Sequence, residues 1–251
     1  MLGTRFFNSP EGIAFLPEGL ARQVPVELSA TATGIEERRD SVTVEWQRPG
    51  EPGHRAHARA VVIAVAAPQV RGIFPSLTQP YRAYLDGLTH NPMFVVKLGL
   101  AKPPPEPAAW IVVPRQQHGD LIEVVLDHNK APGRTPHGQG LVSTYWNAPW
   151  VRSHWAADDQ DVIRAALEGL DRLGLFPGLA ADVTLTHVQR WQAALPRRAV
   201  GTFRAQPPNG ACSRNGRVHL AGDYFSVPCT HSSLSSGERA AHNILQTLNT
   251  P

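Results

Sequence analysis

Cysteine, long apolar runs and targeting signals are scarce in this sequence, and each absence excludes a class of protein. Only two cysteines occur in 251 residues, Cys212 and Cys229, which excludes a disulfide-stapled fold and a four-cysteine zinc site. The longest apolar run, residues 60–67, is far shorter than the ~20 residues that span a bilayer. Residues 1–10 lack the apolar core of a secretory signal. We therefore expect a cytoplasmic protein without a transmembrane segment.

Charge and short motifs exclude further classes. The 24 Lys and Arg residues exceed the 21 Asp and Glu residues by only three, and the charges are interspersed, so nothing indicates a nucleic-acid partner. The motifs G-x-G-x-x-G, H-E-x-x-H, C-x-x-C and G-x-S-x-G are absent, as is a P-loop. The sequence therefore contains no complete phosphate cradle for a nucleotide, no obvious zinc site and no nucleophile elbow.

Apolar patterning, in contrast, is abundant and predicts two groups of strands. Residues 41–46 alternate apolar and polar side chains, which predicts a hairpin with residues 31–37. Residues 60–65 are continuously apolar, as in a strand buried on both faces, and residues 26–28 are a short strand candidate. Four runs separated by loops rich in Pro and Gly predict an antiparallel sheet: residues 94–100, 110–113, 121–126 and 141–146.

Two segments carry the strongest helix signals. Residues 158–173 place their apolar side chains on one stripe, and Asp158 or Asp159 can cap this helix. Residues 232–248 form the closing helix, which follows a strand at residues 218–221. Tyr145 and three tryptophans near it form an aromatic cluster that is either core or the wall of a substrate pocket: Trp146, Trp150 and Trp155.

The strand–loop–helix stretch near the carboxyl terminus is the richest in chemistry. The strand ends at Gly222 and Asp223, and a carboxylate at a strand end can accept hydrogen bonds from ribose-like hydroxyls. The first turn of the following helix is small and polar, and its unpaired N–H groups suit an anion or an electron-rich ring edge. The alternative is an ordinary connection capped by serines.

The letters of this stretch, HLAGD followed by SSLSSGERAA, resemble the C-terminal FAD motif of the flavin amine oxidase, protoporphyrinogen oxidase and phytoene desaturase superfamily. In that superfamily a strand ends in (A/C)-G-(D/E), and a helix with a small-residue pair begins about ten residues later. The resemblance implies that Asp223, after Gly222, contacts the phosphate and ribityl region of the flavin. It implies that the helix start contacts the pyrimidine edge of the flavin through Ser232, Ser233 and Leu234.

Four other segments resemble the same superfamily in the correct order. The hairpin segment corresponds to one whose backbone contacts adenine, at Ala32, and the strand ARAVVIAVAAPQV places Ala64 near the cofactor. The strand NPMFVVKLGLAKPP corresponds to one carrying the lysine that amine oxidases place, through a water, near flavin N5, which maps to Lys97. The letters WQAALPRRAVG match W-x-x-A-x-P-x-x-x-x-G, so Trp191 is assigned to cofactor binding, with packing as its alternative.

The resemblance implies an α/β fold, the C-terminal portion of an FAD-linked reductase. We expect a partial FAD-binding domain formed by residues 1–75 and 190–251, and a substrate domain with an antiparallel sheet at residues 76–189. It implies an FAD-dependent oxidoreductase that oxidises a small organic substrate by hydride transfer to flavin N5. The FAD is expected to be noncovalent, because no cysteine aligns with the attachment site of the family.

Two departures from the superfamily leave alternatives open. The N-terminal βαβ unit with G-x-G-x-x-G is absent, which predicts a split enzyme whose second chain carries that unit, or self-association. A truncated fragment or a non-catalytic binding or scaffold protein is the alternative. Cys229 stands where an aromatic ring is usual, and it is either a reactive thiol, half of a metal site or an ordinary loop residue. A Ser-His-Asp hydrolase would use His231 with Asp223 and one of the neighbouring serines.

Overall fold

The computed structural model describes residue 9 and residues 11–249. Its α-helices are α1 (Phe15–Ala21), α2 (Ala67–Ile73), α3 (Gln79–Asp86), α4 (Ala148–Ser153), α5 (Asp159–Leu173), α6 (Leu179–Asp182) and α7 (Thr230–Asn249). Its strands are β1 (Thr31–Glu37), β2 (Val42–Gln47), β3 (His54–Ala58), β4 (Val61–Ile63), β5 (Thr89–Leu100), β6 (Trp110–Val112), β7 (Leu121–Leu126), β8 (Gly140–Trp146), β9 (Val183–Arg197) and β10 (Val218–Leu220).

The chain divides into two compact units, each built from separate stretches of sequence. The first unit comprises Met1–Val26 and Pro92–Ala194, and the second comprises Glu27–Asn91 and Leu195–Pro251. The expected boundary after residue 75 falls inside the second unit, because α3 buries side chains in the core of that unit: Tyr81, Tyr84 and Leu85. The assignment of the two units to cofactor and substrate stays a prediction.

A five-stranded sheet with helices on one face forms the first unit. The strand order is β6-β7-β8-β5-β9, and the pairs β6/β7, β7/β8 and β8/β5 are antiparallel. The four runs predicted as an antiparallel sheet are therefore confirmed. Alternate residues of β5 point into the core, where the fully buried side chains are Phe94, Val96, Leu98 and Leu100.

Helix α5 covers that core with the apolar stripe expected from the sequence. Its buried side chains Val162, Ile163 and Leu170 belong to the same cluster as the inner face of β5. Asp158 caps the helix, since its carboxylate accepts a hydrogen bond of 2.8 Å from the backbone N–H of Asp161. Gly174, in the left-handed conformation, ends the helix.

Of the predicted aromatic cluster, Trp146 lies in the core and Trp150 packs against it, whereas Trp155 is exposed. Trp146 is 2% exposed, and its ring stacks on Trp150 with centroids 4.2 Å apart. Trp150 in turn stacks on His154 and meets Phe94 edge to face. Tyr145, the neighbour of Trp146 on β8, points to the opposite face of the sheet because strand residues alternate.

Two small sheets and three helices form the second unit. Strands β1, β2 and β3 make an antiparallel sheet, which confirms the predicted hairpin, and β4 pairs in parallel with β10. Strand β4 is shorter than the predicted run, because the chain leaves the strand after Ile63 and α2 starts at Ala67. Within β4 only Ile63 is buried, and Ala64 and Ala66 after it are exposed. The strand predicted at residues 26–28 is wrong, since those residues lie in a connection before β1.

Among the described residues, none of the helices combines the length and the apolarity needed to cross a bilayer.

Candidate functional site

The parallel pair β4 and β10 ends at one edge of its sheet, and three of the predicted site residues follow there. Ile63 pairs with Leu220, and the backbone N–H of Ala221 donates to the carbonyl of Ile63 at 3.0 Å. Ala64 follows β4 and is exposed, whereas Gly222 and Asp223 follow β10. Ligands of open α/β sheets bind outside this carboxyl edge.

Helix α7 is tied directly to that edge through Ser236. The backbone N–H of Gly222 donates to Ser236 Oγ at 2.9 Å, and this hydroxyl donates to the carbonyl of Ser233 at 2.8 Å. Ser236 is 2% exposed, so the link is shielded from water. Because α7 begins at Thr230, two residues before the predicted start, its first turns contain Ser232, Ser233 and Leu234.

The residue after the strand must be glycine because an aromatic ring lies against it. A Cβ atom on Gly222 would lie 2.1 Å from Cε1 of Tyr224. The Tyr224 side chain is 1% exposed and its hydroxyl donates to the carbonyl of Ala221 at 3.1 Å, so the ring has no free space to move into. The glycine is therefore required for the packing of the Tyr224 ring at this edge.

A short 3-10 helix, Asp223–Phe225, carries the candidate carboxylate, and distant side chains hold its carbonyls. Arg198 donates to the carbonyls of Asp223 at 2.7 Å, of Tyr224 at 2.8 Å and of Ser226. Tyr84 also donates to the carbonyl of Tyr224, at 2.5 Å. Gln206 donates to the carbonyl of Phe225 at 2.5 Å. The backbone of this turn is therefore fixed by side chains from three other segments.

The carboxylate of Asp223 itself is left available. Within the described residues it makes neither a hydrogen bond nor an ion pair. The Asp223 carboxylate also affects His90. Burial lowers the pKa of His90, the negative charge of Asp223 raises this pKa again in part, and the positive charge of Arg198 lowers it further. Sequence reasoning missed both residues: His90 belongs to no motif, and Arg198 stands at an unspecified position of the W-x-x-A-x-P-x-x-x-x-G match.

The hydrolase arrangement considered from the sequence does not form. The Ser232 hydroxyl lies 3.2 Å from the thiol of Cys229, and Ser233 Oγ faces the carbonyl of Cys229. Across the described residues, His231 makes no hydrogen bond to a serine or to Asp223. Hydrogen bonds from Ser232 lower the pKa of the exposed Cys229 thiol. In the part of the chain described, no group of three or more His, Cys, Asp or Glu could hold a metal ion.

The remaining predicted residues lie elsewhere. Ala32 pairs with Trp46 in the three-stranded sheet of the second unit and is half-buried. Lys97 and Trp191 belong to the five-stranded sheet of the first unit, on β5 and β9. Trp191 is 53% exposed, which does not support the packing role considered for it.

Lys97 faces away from the core of its sheet. It alternates with the buried Val96 and Leu98, and it is half-buried. Its cross-strand partner is Ser143, whose hydroxyl donates to Asp127 at 2.5 Å. The ammonium therefore lies on a face that also carries a buried hydroxyl–carboxylate pair, instead of being enclosed by apolar side chains.

The carboxyl edge of the second unit fits the chemistry of a flavin. Within the described residues the Asp223 carboxylate has no protein partner, so it can accept hydrogen bonds from the hydroxyl groups of a ribityl chain. The small, exposed Ala64 allows a flat ring to approach the backbone. The start of the 20-residue helix α7 presents N–H donors and a partial positive charge beside it.

Comparison with known proteins identifies the family of the chain. The family model described as flavin containing amine oxidoreductase matches residues 2–245. No curated protein sequence matches the chain significantly.

Solved structures share the fold at low sequence identity. Cyclohexylamine oxidase from Brevibacterium oxydans IH-35A superimposes with a TM-score of 0.71 at 18% identity, over 95% of this chain and 53% of that one. Wild-type putrescine oxidase bound to putrescine gives a TM-score of 0.73 at 14% identity, over 94% of this chain and 53% of that one. The chain therefore spans about half the length of these proteins, and it has the mixed α/β fold of their FAD-linked class.

Proposed function

Because the chain belongs to the flavin containing amine oxidoreductases, we propose that it forms part of an FAD-dependent oxidase of small organic molecules. The observation that carries the proposal is Asp223: it follows Gly222 at the carboxyl edge, beside α7, and its carboxylate has no partner among the described residues. When bound, noncovalent FAD supplies a hydride acceptor at N5. The protein supplies orientation and electrostatics.

Each predicted residue has a role in this proposal. Asp223 accepts hydrogen bonds from the ribityl and phosphate region, with Gly222 setting its position. The start of α7 binds the pyrimidine edge through Ser232, Ser233 and Leu234. Ala64 and the backbone of Ala32 contact the ring and the adenine. Lys97 orients a water on the N5 side, and Trp191 borders the flavin.

Flavin titration of the purified chain tests the cofactor assignment. Because the sequence contains no G-x-G-x-x-G, contacts of this chain with the pyrophosphate should add little binding energy. The dissociation constants of FAD and riboflavin should therefore lie within about tenfold of each other. Asp223→Ala should weaken both at least tenfold, as read from quenching of flavin fluorescence. Glu238→Ala, which removes an exposed carboxylate from the neighbouring helix α7, is the control.

The outcomes separate the enzyme from its alternative. Unchanged flavin affinity in Asp223→Ala would overturn the proposed site. Absence of flavin binding by the chain, both alone and with any partner that carries the βαβ unit, would favour the non-catalytic binding or scaffold protein.

The missing phosphate cradle is proposed to come from a second chain with G-x-G-x-x-G. The support is a surface on the first unit: α1 buries none of its residues, and apolar side chains around it are exposed, namely Ile13, Phe15, Leu20, Val24 and Val26. Several exposed apolar side chains within one short segment are typical of an interface. Self-association is the competing use of the same surface.

Mutation of this surface distinguishes the two partners. The double variant Phe15→Ser/Leu20→Ser should lose co-purification with a co-expressed chain that carries the βαβ unit, and lose the gain in FAD affinity that this chain provides. Leu245→Ser, at an equally exposed leucine of α7, is the control. A wild-type dimer in light scattering that the double variant abolishes, without any effect of a βαβ chain, would show self-association instead.

Lys97 is tested separately in the flavin-loaded enzyme. Lys97→Met should reduce the rate of flavin reduction by a screened substrate at least tenfold while flavin retention stays unchanged, because the ammonium is proposed to act on a water and not to hold the cofactor. Lys102→Met is the control, since Lys102 is an exposed lysine of the same unit. Equal rates in both variants would remove Lys97 from the mechanism.

A further inference from the structure

We propose that Arg198 is the positioning residue of the flavin site: it holds the backbone of residues 223–226 so that the Asp223 carboxylate faces the ligand. This inference rests on the proposed function, because it assigns how the cofactor-binding carboxylate is aimed. Arg198 is half-buried and lies just beyond the end of β9, 25 residues before Asp223 in the chain.

Both terminal nitrogens of the Arg198 guanidinium donate to backbone carbonyls, whereas its buried Nε has no hydrogen-bond partner among the described residues. Nη2 donates to the carbonyl of Asp223 at 2.7 Å and to that of Ser226, and Nη1 donates to the carbonyl of Tyr224 at 2.8 Å. The ring of Phe203 lies against the cation, with its centroid 5.5 Å from Cζ. One side chain thus fixes both ends of the turn.

The most informative detail is the bond that Arg198 does not make. An arginine next to an aspartate ordinarily forms a bidentate ion pair with its carboxylate. Here the guanidinium binds the main-chain oxygen of Asp223, and no ion pair to its carboxylate exists within the described residues. The guanidinium is therefore occupied by main-chain oxygens, and the carboxylate oxygens stay available for a ligand.

Only arginine suits this position. Its planar fork presents several fixed donors, whereas a lysine has a single ammonium that cannot span three carbonyls in the same geometry. A guanidinium also stays protonated at every physiological pH, so the donors that hold the turn do not depend on pH in that range.

Flavin affinity and stability are measured together in Arg198→Ala, Arg198→Lys and the control Arg197→Ala. Arg197 is the exposed neighbour, so its variant controls for loss of a positive charge in the same segment. We expect both Arg198 variants to bind riboflavin at least tenfold more weakly, and Arg197→Ala to bind it like the wild type. Guanidinium ion at millimolar concentration should restore binding to Arg198→Ala, since it can occupy the vacated donor position.

The same guanidinium should fail to rescue Asp223→Ala, which lacks the acceptor itself. Rescue of Arg198→Ala is the readout that a purely structural role would not give. Wild-type affinity in Arg198→Ala beside lost affinity in Asp223→Ala would overturn the inference and leave the proposed function standing. Wild-type affinity in Asp223→Ala would overturn the proposed function instead. If Arg198→Ala does not fold, Arg198→Lys with an unchanged melting temperature and unchanged affinity would equally contradict the inference.

Discussion

At residue 222 the missing side chain is a packing requirement. The backbone there is extended, a conformation open to any residue, so the glycine is not explained by its φ angle. The buried ring of Tyr224 explains it, because the ring fills the space where a Cβ would lie. The Gly-Asp pair at the end of β10 thus combines a structural glycine with an available carboxylate.

Alanine at this position should destabilise the second unit. For Gly222→Ala we expect the free energy of unfolding to fall by about 2–3 kcal/mol, because the ring must move or the turn must shift. Gly237→Ala, at a glycine of α7 whose Cβ would meet nothing within 4 Å, should raise it by about 0.5–1 kcal/mol. Urea unfolding followed by circular dichroism measures both. Equal effects of the two variants would contradict the packing argument.

Residues of the site differ in how far the sequence indicated them. Gly222 and Asp223 lie within one motif, so their adjacency was readable along the chain. Arg198 and Tyr84 contact the turn from other segments of the chain; Tyr84 is 140 residues from its partner. Contacts over such separations depend on how strands and helices assemble, and no local pattern encodes them.

Among the elements, α5 illustrates a prediction that local physics sufficed to make. Its apolar stripe and its capping aspartate are both local signals, and each one is present in the structure. Strand β4 illustrates the opposite case. A continuous apolar run indicates burial, but the end of the strand depends on where α2 begins and on what covers residues 64–66.

The cap of α5 gives a prediction for a single element. Asp158→Ala should lower the free energy of unfolding of the chain by about 1 kcal/mol, because the N–H of Asp161 loses its acceptor. Asp158→Asn retains a side-chain oxygen at the cap and should stay near the wild type. Thermal unfolding compares the three proteins. A loss as large in the asparagine variant as in the alanine variant would show that charge, and not the cap bond, matters.

At the scale of the whole molecule, buried neutral groups limit the pH range of stability. Burial lowers the pKa of three histidines below the ordinary value of 6.5, namely His90, His118 and His219. Burial raises the pKa of Cys212 from 9.0 to about 12 and that of Tyr81 from 10.0 to about 12. All of these groups prefer to be uncharged in the folded chain.

The direction of the pH dependence follows from these shifts. Below pH 6.5 the histidines of the unfolded chain take up protons first, so stability falls as the pH decreases. Above pH 9 the thiol and then the phenol lose protons first in the unfolded chain, so stability falls again as the pH approaches 12. We therefore expect a plateau between about pH 6.5 and 9 in urea unfolding. A free energy of unfolding that stays constant down to pH 5 would contradict the predicted loss of stability through histidine protonation.

Family, fold class and the motif at the candidate site were determined by the sequence alone. The fold elements follow from apolar periods and caps, and the family follows from the resemblance of the Gly-Asp pair and the serine-rich helix start to a known motif. The family match over residues 2–245 and the shared fold confirm the first two. Only the tertiary structure decided that Arg198 donates to the carbonyls of the turn, while the Asp223 carboxylate has no partner among the described residues. The physical reason is that hydrogen-bond partners are chosen by proximity in space, which the chain acquires only when its distant segments pack together.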